Sequence, residues 1–167
     1  MWRFYVREPN KGFTLIELLV VIGLLGILSA ISSPVFVGMY ARTRVNAALA
    51  DIQTALLEGQ RQAIRTSRAC DLTLNSSTRS LSGSCLVGGD RALTRVTLRT
   101  STSAVRFDFK GVMLNPSNNA TSSQAVTVVV ASPNTNLQRC LVVSAPLGLT
   151  RTGTYTGNGT TDTSCLP

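Results

Sequence analysis

Four cysteines and one glutamate are the residues of this sequence whose side chains are best suited to form covalent bonds, bind a metal or pair with a charge. Cys70, Cys85, Cys140 and Cys165 all follow an apolar stretch near the N-terminus, and Glu17 is the single charge within that stretch. Thiols can form disulfides, bind a metal or act as nucleophiles. A carboxylate in an apolar run can pair with a cation where water is excluded. The sequence contains no histidine, which excludes Ser-His-Asp and Cys-His catalysis, His-containing zinc sites and histidine pH switches.

The apolar stretch has the length of a membrane span. Residues 13–31 read FTLIELLVVIGLLGILSAI, and at about 1.5 Å per residue such a helix crosses a hydrocarbon core about 30 Å thick. Arg3, Arg7 and Lys11 precede it, which predicts a cytoplasmic N-terminus and an exported C-terminal part. A cleavable signal peptide and a plain signal anchor are the alternatives. Neither explains Glu17, because an unpaired acid in lipid costs about 2.5 kcal/mol or more.

The residues around Glu17 carry a family resemblance. Residues 11–17, KGFTLIE, resemble the class III leader junction of type IV pilins and type II secretion pseudopilins. In that family a prepilin peptidase cuts after the glycine and methylates the new terminal amine, which implies cleavage between Gly12 and Phe13. The resemblance implies an assembly role for Glu17, paired with a neighbour's terminal amine in the dry filament core. Pro34 stands where pilins carry a helix-bending proline.

The pattern predicts four consecutive parts. The resemblance implies that residues 1–12 are a cytoplasmic leader that is removed and that the apolar helix of residues 13–34 is transmembrane first and part of the filament core later. Residues 35–66 are an amphipathic helix. In the third part apolar residues recur at helical spacing; they are Val45, Leu49, Ile52, Leu56 and Ala63. Residues 67–167 are an exported β-rich region, because 31 of the 102 residues from Thr66 onward are Ser or Thr and short alternating stretches replace helical patterns.

The expected architecture is an α+β, type IV pilin-like fold. A long N-terminal helix, transmembrane in its first half and amphipathic in its second, packs on a mostly antiparallel sheet. Six strands are predicted, at residues 70–74, 93–100, 104–109, 125–131, 138–144 and 149–155. In the third strand Val105, Phe107 and Phe109 should face the core, and Arg106 and Asp108 the solvent.

The cysteines fit an exported domain. All four follow the membrane segment and so reach an oxidising compartment. Of the three possible pairings we favour Cys70 with Cys85 and Cys140 with Cys165, because each closes a short loop, with a gain of about 3 kcal/mol for roughly 15 residues. A zinc site is the weaker interpretation, since no CxxC pair or histidine is present. No metal and no cofactor is expected.

Within the pilin-like families the β region is similar to the GspH/FimT group of minor pilins and pseudopilins. The residues that carry this are RFDFKG at 106–111, LVVS at 141–144 and GLTR at 148–151. Members sit at filament tips and prime assembly, and some bind DNA through a C-terminal Gly-Arg-x-Arg element. In this sequence Leu149 stands at the first arginine of that element, and Arg151 matches the second.

Charge favours DNA as an alternative partner. After removal of residues 1–12 the chain keeps 13 basic and 7 acidic side chains, and 12 of the basic ones are arginine. Arginine forks suit phosphates and base edges. Arg61, Arg65 and Arg68 are predicted to share one helical face, and Arg95 and Arg99 one strand face. The alternative is that these arginines solubilise the sheet or pair with acids of neighbouring subunits.

The resemblance therefore implies a non-catalytic subunit of a type IV pilus or a type II secretion pseudopilus, active in filament initiation. Its partners would be other pilins or pseudopilins, the prepilin peptidase and the bacterial inner membrane. It would span that membrane once, with its C-terminal domain in the periplasm, before joining a filament. The competing function is a DNA-binding minor pilin for natural transformation. An anchored enzyme is disfavoured, because no local acid/base motif is present.

Overall fold

The structure is a computed structural model that describes residues 12–30 and 36–167 in full and residues 31–35 as helical backbone. One long helix, α1, covers Leu15–Thr66. The chain divides into two compact units, Met1–Val37 and Gly38–Pro167. Residues 1–11 of the predicted leader, which comprises residues 1–12, lie outside the described residues.

Ten strands follow α1 within the second unit. They form two five-stranded antiparallel sheets, which we name sheet A, in the order β3-β2-β1-β5-β6, and sheet B, in the order β10-β9-β8-β7-β4. A short 3-10 helix at Asp162–Ser164 precedes the last strand. The strands are β1 Cys70–Asn75, β2 Ser80–Ser82, β3 Arg91–Ala92, β4 Thr97–Thr100, β5 Ala104–Phe107, β6 Met113–Leu114, β7 Val126–Ser132, β8 Thr135–Ser144, β9 Leu149–Tyr155 and β10 Cys165–Leu166.

The C-terminal end of α1 is a Schellman motif. Ser67 adopts a left-handed backbone with φ of 52°. Its amide donates to the carbonyl of Ile64 at 3.4 Å, and the amide of Arg68 donates to the carbonyl of Ala63 at 3.2 Å. These two bonds satisfy carbonyls that have no partner at a helix end. The motif ends α1 at Thr66, where the sequence pattern predicts the end.

The amphipathic part of α1 packs on the sheets as predicted. All five residues of its predicted apolar stripe are buried, and they join one core with apolar residues of both sheets. Gly59 shows how closely helix and sheet approach, because a Cβ at this position would lie 3.1 Å from the sulfur of Cys70. The expected α+β, type IV pilin-like fold is thus observed, with two sheets in place of one.

Sheet B is covered on both faces, which explains why β7 is buried almost throughout. Val126, Val128 and Val130 join the main core. Val129 faces the other way and joins a second, smaller cluster with Cys140, Val142, Tyr155 and Cys165. The C-terminal segment therefore supplies a cover of its own for the outer face of sheet B.

Two predicted strands are shorter than expected. Residues 93–96 precede β4 as a turn, in which Arg95 has a φ of 57°. The third predicted strand ends at Phe107, because the Asp108 carboxylate accepts hydrogen bonds from the amides of Lys110 and Val112 and so closes a turn. Phe109 is therefore 54% exposed in that turn, and its predicted core position is wrong.

Candidate functional site

The N-terminus of α1 is organised by a cap that includes the predicted assembly residue. The Glu17 amide donates to Oγ1 of Thr14 at 3.3 Å, and the Leu18 amide donates to the Thr14 carbonyl at 3.2 Å. Thr14-x-x-Glu17 is the spacing of a capping box, in which a carboxylate also benefits from the positive end of the helix dipole. Gly12 and Phe13 are exposed just before this cap. The cap was missed from sequence, although the Thr-x-x-Glu spacing signals it.

The first part of α1 exposes its apolar side chains. Every large apolar side chain from Phe13 to Leu28 is at least 46% exposed. Glu17 lies among them and is exposed as well. Exposed apolar surface of this extent marks a site of contact with a membrane or with other proteins. Across the described part of the chain, no helix has the length and apolarity required to cross a membrane. The transmembrane assignment of residues 13–34 and the bend at Pro34 stay predictions from sequence.

All four cysteines are joined in disulfides, in the pairing that the sequence favours. Cys70 pairs with Cys85, with Cα atoms 5.7 Å apart, and Cys140 pairs with Cys165, with Cα atoms 5.8 Å apart. The first disulfide ties β1 to the segment between β2 and β3. The second ties β8 to β10 across β9. These thiols are therefore engaged and cannot bind a metal.

Two of the predicted DNA-binding arginines hold the C-terminal segment. Arg151 donates to the carbonyl of Cys165 at 2.8 Å and to that of Asp162 at 2.9 Å. Arg99 donates to the carbonyl of Asn158 and to the side chain of Gln138, and its guanidinium lies 5.7 Å from the centre of the Tyr155 ring. Both guanidinium groups are occupied within the chain. Arg99 and Arg151 therefore hold the C-terminal segment in place, a structural role that the DNA-binding prediction did not include.

The predicted strand face shared by Arg95 and Arg99 does not exist. Arg95 is in the turn before β4, and only Arg99 belongs to that strand. The left-handed backbone of Arg95 breaks the alternation that would have placed the two side chains on one face.

Arg61, Arg65 and Arg68 stay near one another, although α1 ends before Arg68. Arg61 and Arg65 line one open surface cavity, and Arg68 lines a second one. Gln62 and Val87 line both. All three arginines are exposed. Among the described residues their guanidinium groups take part in no hydrogen bond or ion pair. This group, which we name the helix-end cluster, is the part of the predicted basic surface that is accessible as a set, with Arg95 exposed elsewhere.

Two ion pairs that were not predicted from the sequence engage two further arginines, Arg91 and Arg106, within the chain. Glu58 accepts from the Gly88 amide at 2.9 Å and pairs with Arg91 at 3.2 Å. The Gly88 hydrogen bond, opposed by partial burial and aided by Arg91, lowers the pKa of Glu58. Asp71 pairs with both arms of the Arg106 guanidinium, and these hydrogen bonds lower the pKa of Asp71 and raise that of Arg106. Arg106 and Asp71 come together because β1 and β5 place them opposite each other.

Comparison with known proteins agrees with this geometry. The profile described as "Prokaryotic N-terminal methylation motif" matches residues 9–33. A fimbrial protein of Pseudomonas aeruginosa is 42% identical over 60 residues, which cover 32% of this chain and 39% of that protein. The type IV major pilin PilE1 of Neisseria gonorrhoeae is 44% identical over 55 residues, which cover 33% of this chain and 30% of that protein. The matches thus span less than half the length of these relatives.

A solved structure resembles most of the fold. The type IV minor pilin FimU of Pseudomonas aeruginosa superposes with a TM-score of 0.50 at 14% identity, covering 69% of this chain and 90% of that one. This chain thus combines a match to a methylation motif at its N-terminus with a long helix that packs on antiparallel sheets, and its fold is type IV pilin-like.

Proposed function

We propose that this chain is a non-catalytic minor subunit of a type IV pilus or a type II secretion pseudopilus and acts in filament initiation. A prepilin peptidase would cut between Gly12 and Phe13 and methylate Phe13. Residues 13–34 would hold the subunit in the inner membrane, with its C-terminal domain in the periplasm, until it joins other pilins or pseudopilins. The observation that carries this proposal is the exposed apolar surface from Phe13 to Leu28, with Glu17 in its first turn.

The exposed apolar surface from Phe13 to Leu28 is stable only where it is removed from water. Burial of apolar area yields about 25 cal/mol per Å², so residues 13–28 are stable either in lipid or against similar helices. Glu17 is costly in either place unless a cation pairs with it. The methylated amine of a neighbouring Phe13 is such a cation, and the pair would set the axial register of the subunits in the filament.

The experiment separates processing from assembly. Glu17→Ala should be cleaved and inserted like the native protein, but its recovery in sheared filaments should fall at least several-fold. Asp90→Ala, which removes an exposed acid in the second unit, is the matched control and should be recovered normally. Equal recovery of both variants would contradict the assembly role. Mass spectrometry should show an N-methylated Phe13 start, and an intact Met1 terminus would overturn the processing proposal.

A second candidate function is DNA capture for uptake in natural transformation, and the helix-end cluster is the observation that favours it. Three neighbouring arginines that have no hydrogen-bond or ion-pair partner in the part of the chain that the structure describes can each neutralise a phosphate and release counterions. Arg151 is unsuited to a test of this function, because its loss would also remove two hydrogen bonds that hold the C-terminal segment.

The DNA test uses the full chain in detergent and a salt titration of duplex binding. Arg61→Gln/Arg65→Gln/Arg68→Gln should weaken binding and reduce the slope of log K against log salt by about one per contact removed. Arg42→Gln/Arg79→Gln/Lys110→Gln removes the same charge from exposed positions outside the predicted DNA-binding surface and serves as the control. Absence of binding at low salt, or equal losses in both triple variants, would exclude a DNA site at the helix-end cluster.

A further inference from the structure

A second group of cations surrounds α1 at the start of the C-terminal unit. We name Tyr40, Arg42, Arg44 and Arg95 the neck cluster. The Arg44 guanidinium lies 4.4 Å from the centre of the Tyr40 ring and donates a hydrogen bond to the Tyr40 hydroxyl. Tyr40 is 56% exposed, and Arg42 and Arg95 are exposed as well. Leu93 and Thr94, which directly precede Arg95, line a surface cavity together with Tyr40 and Arg44, so the turn between β3 and β4 lies at this level of α1.

The charges of the neck cluster converge on one place. The hydrogen bond from Arg44 and the Arg44 charge lower the pKa of Tyr40, and the Arg95 charge acts in the same direction. Two guanidinium groups from separate parts of the sequence therefore lie close enough to affect one phenol. Tyr40, Arg44 and Asp51 line an open cavity of about 220 Å³. Arg44 is the cation and Asp51 the acid in that lining. With Arg42 and Arg95 the neck cluster has three cations, so they outnumber Asp51.

The order of residues along the chain is that of a membrane boundary. The predicted span ends at Pro34, and Phe36, Val37 and Met39 follow with exposed fractions above one half. Tyr40 and the arginines come next. Along a chain that leaves a membrane, apolar side chains lie in the hydrocarbon, aromatic side chains at the interface, and cationic side chains at the headgroups. Residues 36–44 follow this order.

The arrangement around α1 indicates what kind of ligand fits. Arg42 and Arg44 are two residues apart on a helix and so point about 200° apart. Ala41 and Val45 are buried between them against the core. A small anion would contact one side of the helix only. A layer of headgroups surrounds a helix on every exposed side and therefore contacts both arginines together with Arg95.

We propose that the neck cluster binds the headgroups of anionic phospholipids at the outer surface of the inner membrane. The proposal rests on the membrane insertion of residues 13–34 given under the proposed function. Each cation held near an anionic surface increases the preference for anionic over zwitterionic lipid by up to about fivefold. The cluster would hold the unassembled subunit at a defined depth, with Tyr40 at the interface.

The test measures lipid selectivity with the full chain in proteoliposomes. Spin-labelled phosphatidylglycerol and spin-labelled phosphatidylcholine report the motionally restricted lipid around the protein, and their ratio gives the preference for the anionic headgroup. Arg42→Gln/Arg44→Gln/Arg95→Gln should lower this ratio at least threefold. Arg61→Gln/Arg65→Gln/Arg68→Gln, which removes the same charge from the helix-end cluster, should leave it unchanged. Arg42→Gln/Arg95→Gln keeps the Arg44 contact with Tyr40 and should give an intermediate ratio in a chain whose fold is undisturbed.

The outcomes are distinct. A selective fall in the neck variants supports the proposal. Equal ratios in all variants, with both probes still restricted, would show that the subunit enters the bilayer without headgroup binding by the neck cluster, and would favour an acidic protein partner for these arginines. Absence of restricted lipid for either probe would overturn the membrane insertion itself and the inference with it.

Discussion

At the scale of single residues, the structure separates arginines that hold the fold from arginines that are accessible. Arg99, Arg106 and Arg151 each donate several hydrogen bonds within the chain. Arg61 and Arg65 remain exposed on α1. A count of cations therefore overstates the surface available to an anionic ligand, because burial and internal pairing remove part of it.

The Asp71–Arg106 pair gives a prediction of pH dependence. Arg106 lowers the pKa of Asp71, so the pair stabilises the fold above the unfolded pKa of about 3.9 and this contribution is lost as pH falls through the folded pKa. The Asp71 side chain is 54% exposed, so solvent screening limits the effect to about 1 kcal/mol or less. Urea denaturation of Asp71→Asn should show a lower free energy of unfolding at pH 7, and the difference from native protein should shrink below pH 4. Asp90→Asn is the control, and an equal loss in that variant would contradict a specific pair.

At the scale of elements, the ends of α1 are determined by local backbone chemistry. Thr14 caps its N-terminus, and the Schellman motif at Ser67 closes its C-terminus. The motif usually has glycine at its left-handed position, because a side chain there is strained. Ser67 therefore carries strain that glycine would remove.

Ser67→Gly should raise the free energy of unfolding by about 0.5–1 kcal/mol. Ser67→Ala retains a Cβ at the same left-handed backbone and should give no such gain. Thermal denaturation of the two variants compares them directly. If Ser67→Ala stabilises the protein as much as Ser67→Gly does, backbone strain at Ser67 is not the cause.

The contact between β9 and β10 gives a second prediction at this scale. A Cβ at Gly153 would overlap the carbonyl oxygen of Leu166, whereas at Gly159 it would meet the Tyr155 hydroxyl at an ordinary 3.6 Å. Gly153→Ala should lower the free energy of unfolding by about 1–3 kcal/mol, as expected for an overpacked site. Gly159→Ala should stay near the native value, and chemical denaturation of both variants tests the difference. Native stability in Gly153→Ala would show that β10 is not held against β9.

At the scale of the whole molecule, the two disulfides hold different regions of the second unit. Cys70–Cys85 fastens sheet A beneath α1, and Cys140–Cys165 joins the C-terminal segment to the outer face of sheet B. Their sequence separations are 15 and 25 residues. A second core too small to be stable alone thus depends on a covalent link and on Arg151.

Cys140→Ser/Cys165→Ser should lower the free energy of unfolding by about 3 kcal/mol. Hydrogen exchange should increase first at β10 and in residues 156–164, because only hydrogen bonds, those from Arg99 and Arg151 among them, then hold this segment. Cys70→Ser/Cys85→Ser is the matched variant, and its exchange should increase around residues 83–91 instead. Identical exchange patterns in the two variants would show that the C-terminal segment is not a separate region held by Cys140–Cys165.

The features that the sequence predicted correctly are those with local causes. The buried stripe of α1, its end at Thr66 and the strands at β1, β7 and β9 follow from periodicity over a few residues, and the favoured cysteine pairing follows from short loops. The prepilin-type junction is likewise a contiguous motif.

Only the tertiary structure decided which side chains meet across long separations. Arg99 reaches Asn158, Asp71 meets Arg106, and Tyr40 lines a cavity with Leu93 and Thr94. Sequence periodicity describes a neighbourhood of about one or two turns, and it contains no information on which strand lies opposite another. The partition of the arginines into internal and accessible groups, on which both the helix-end and neck clusters depend, was therefore set by strand order and by the turns at Arg95 and Asp108.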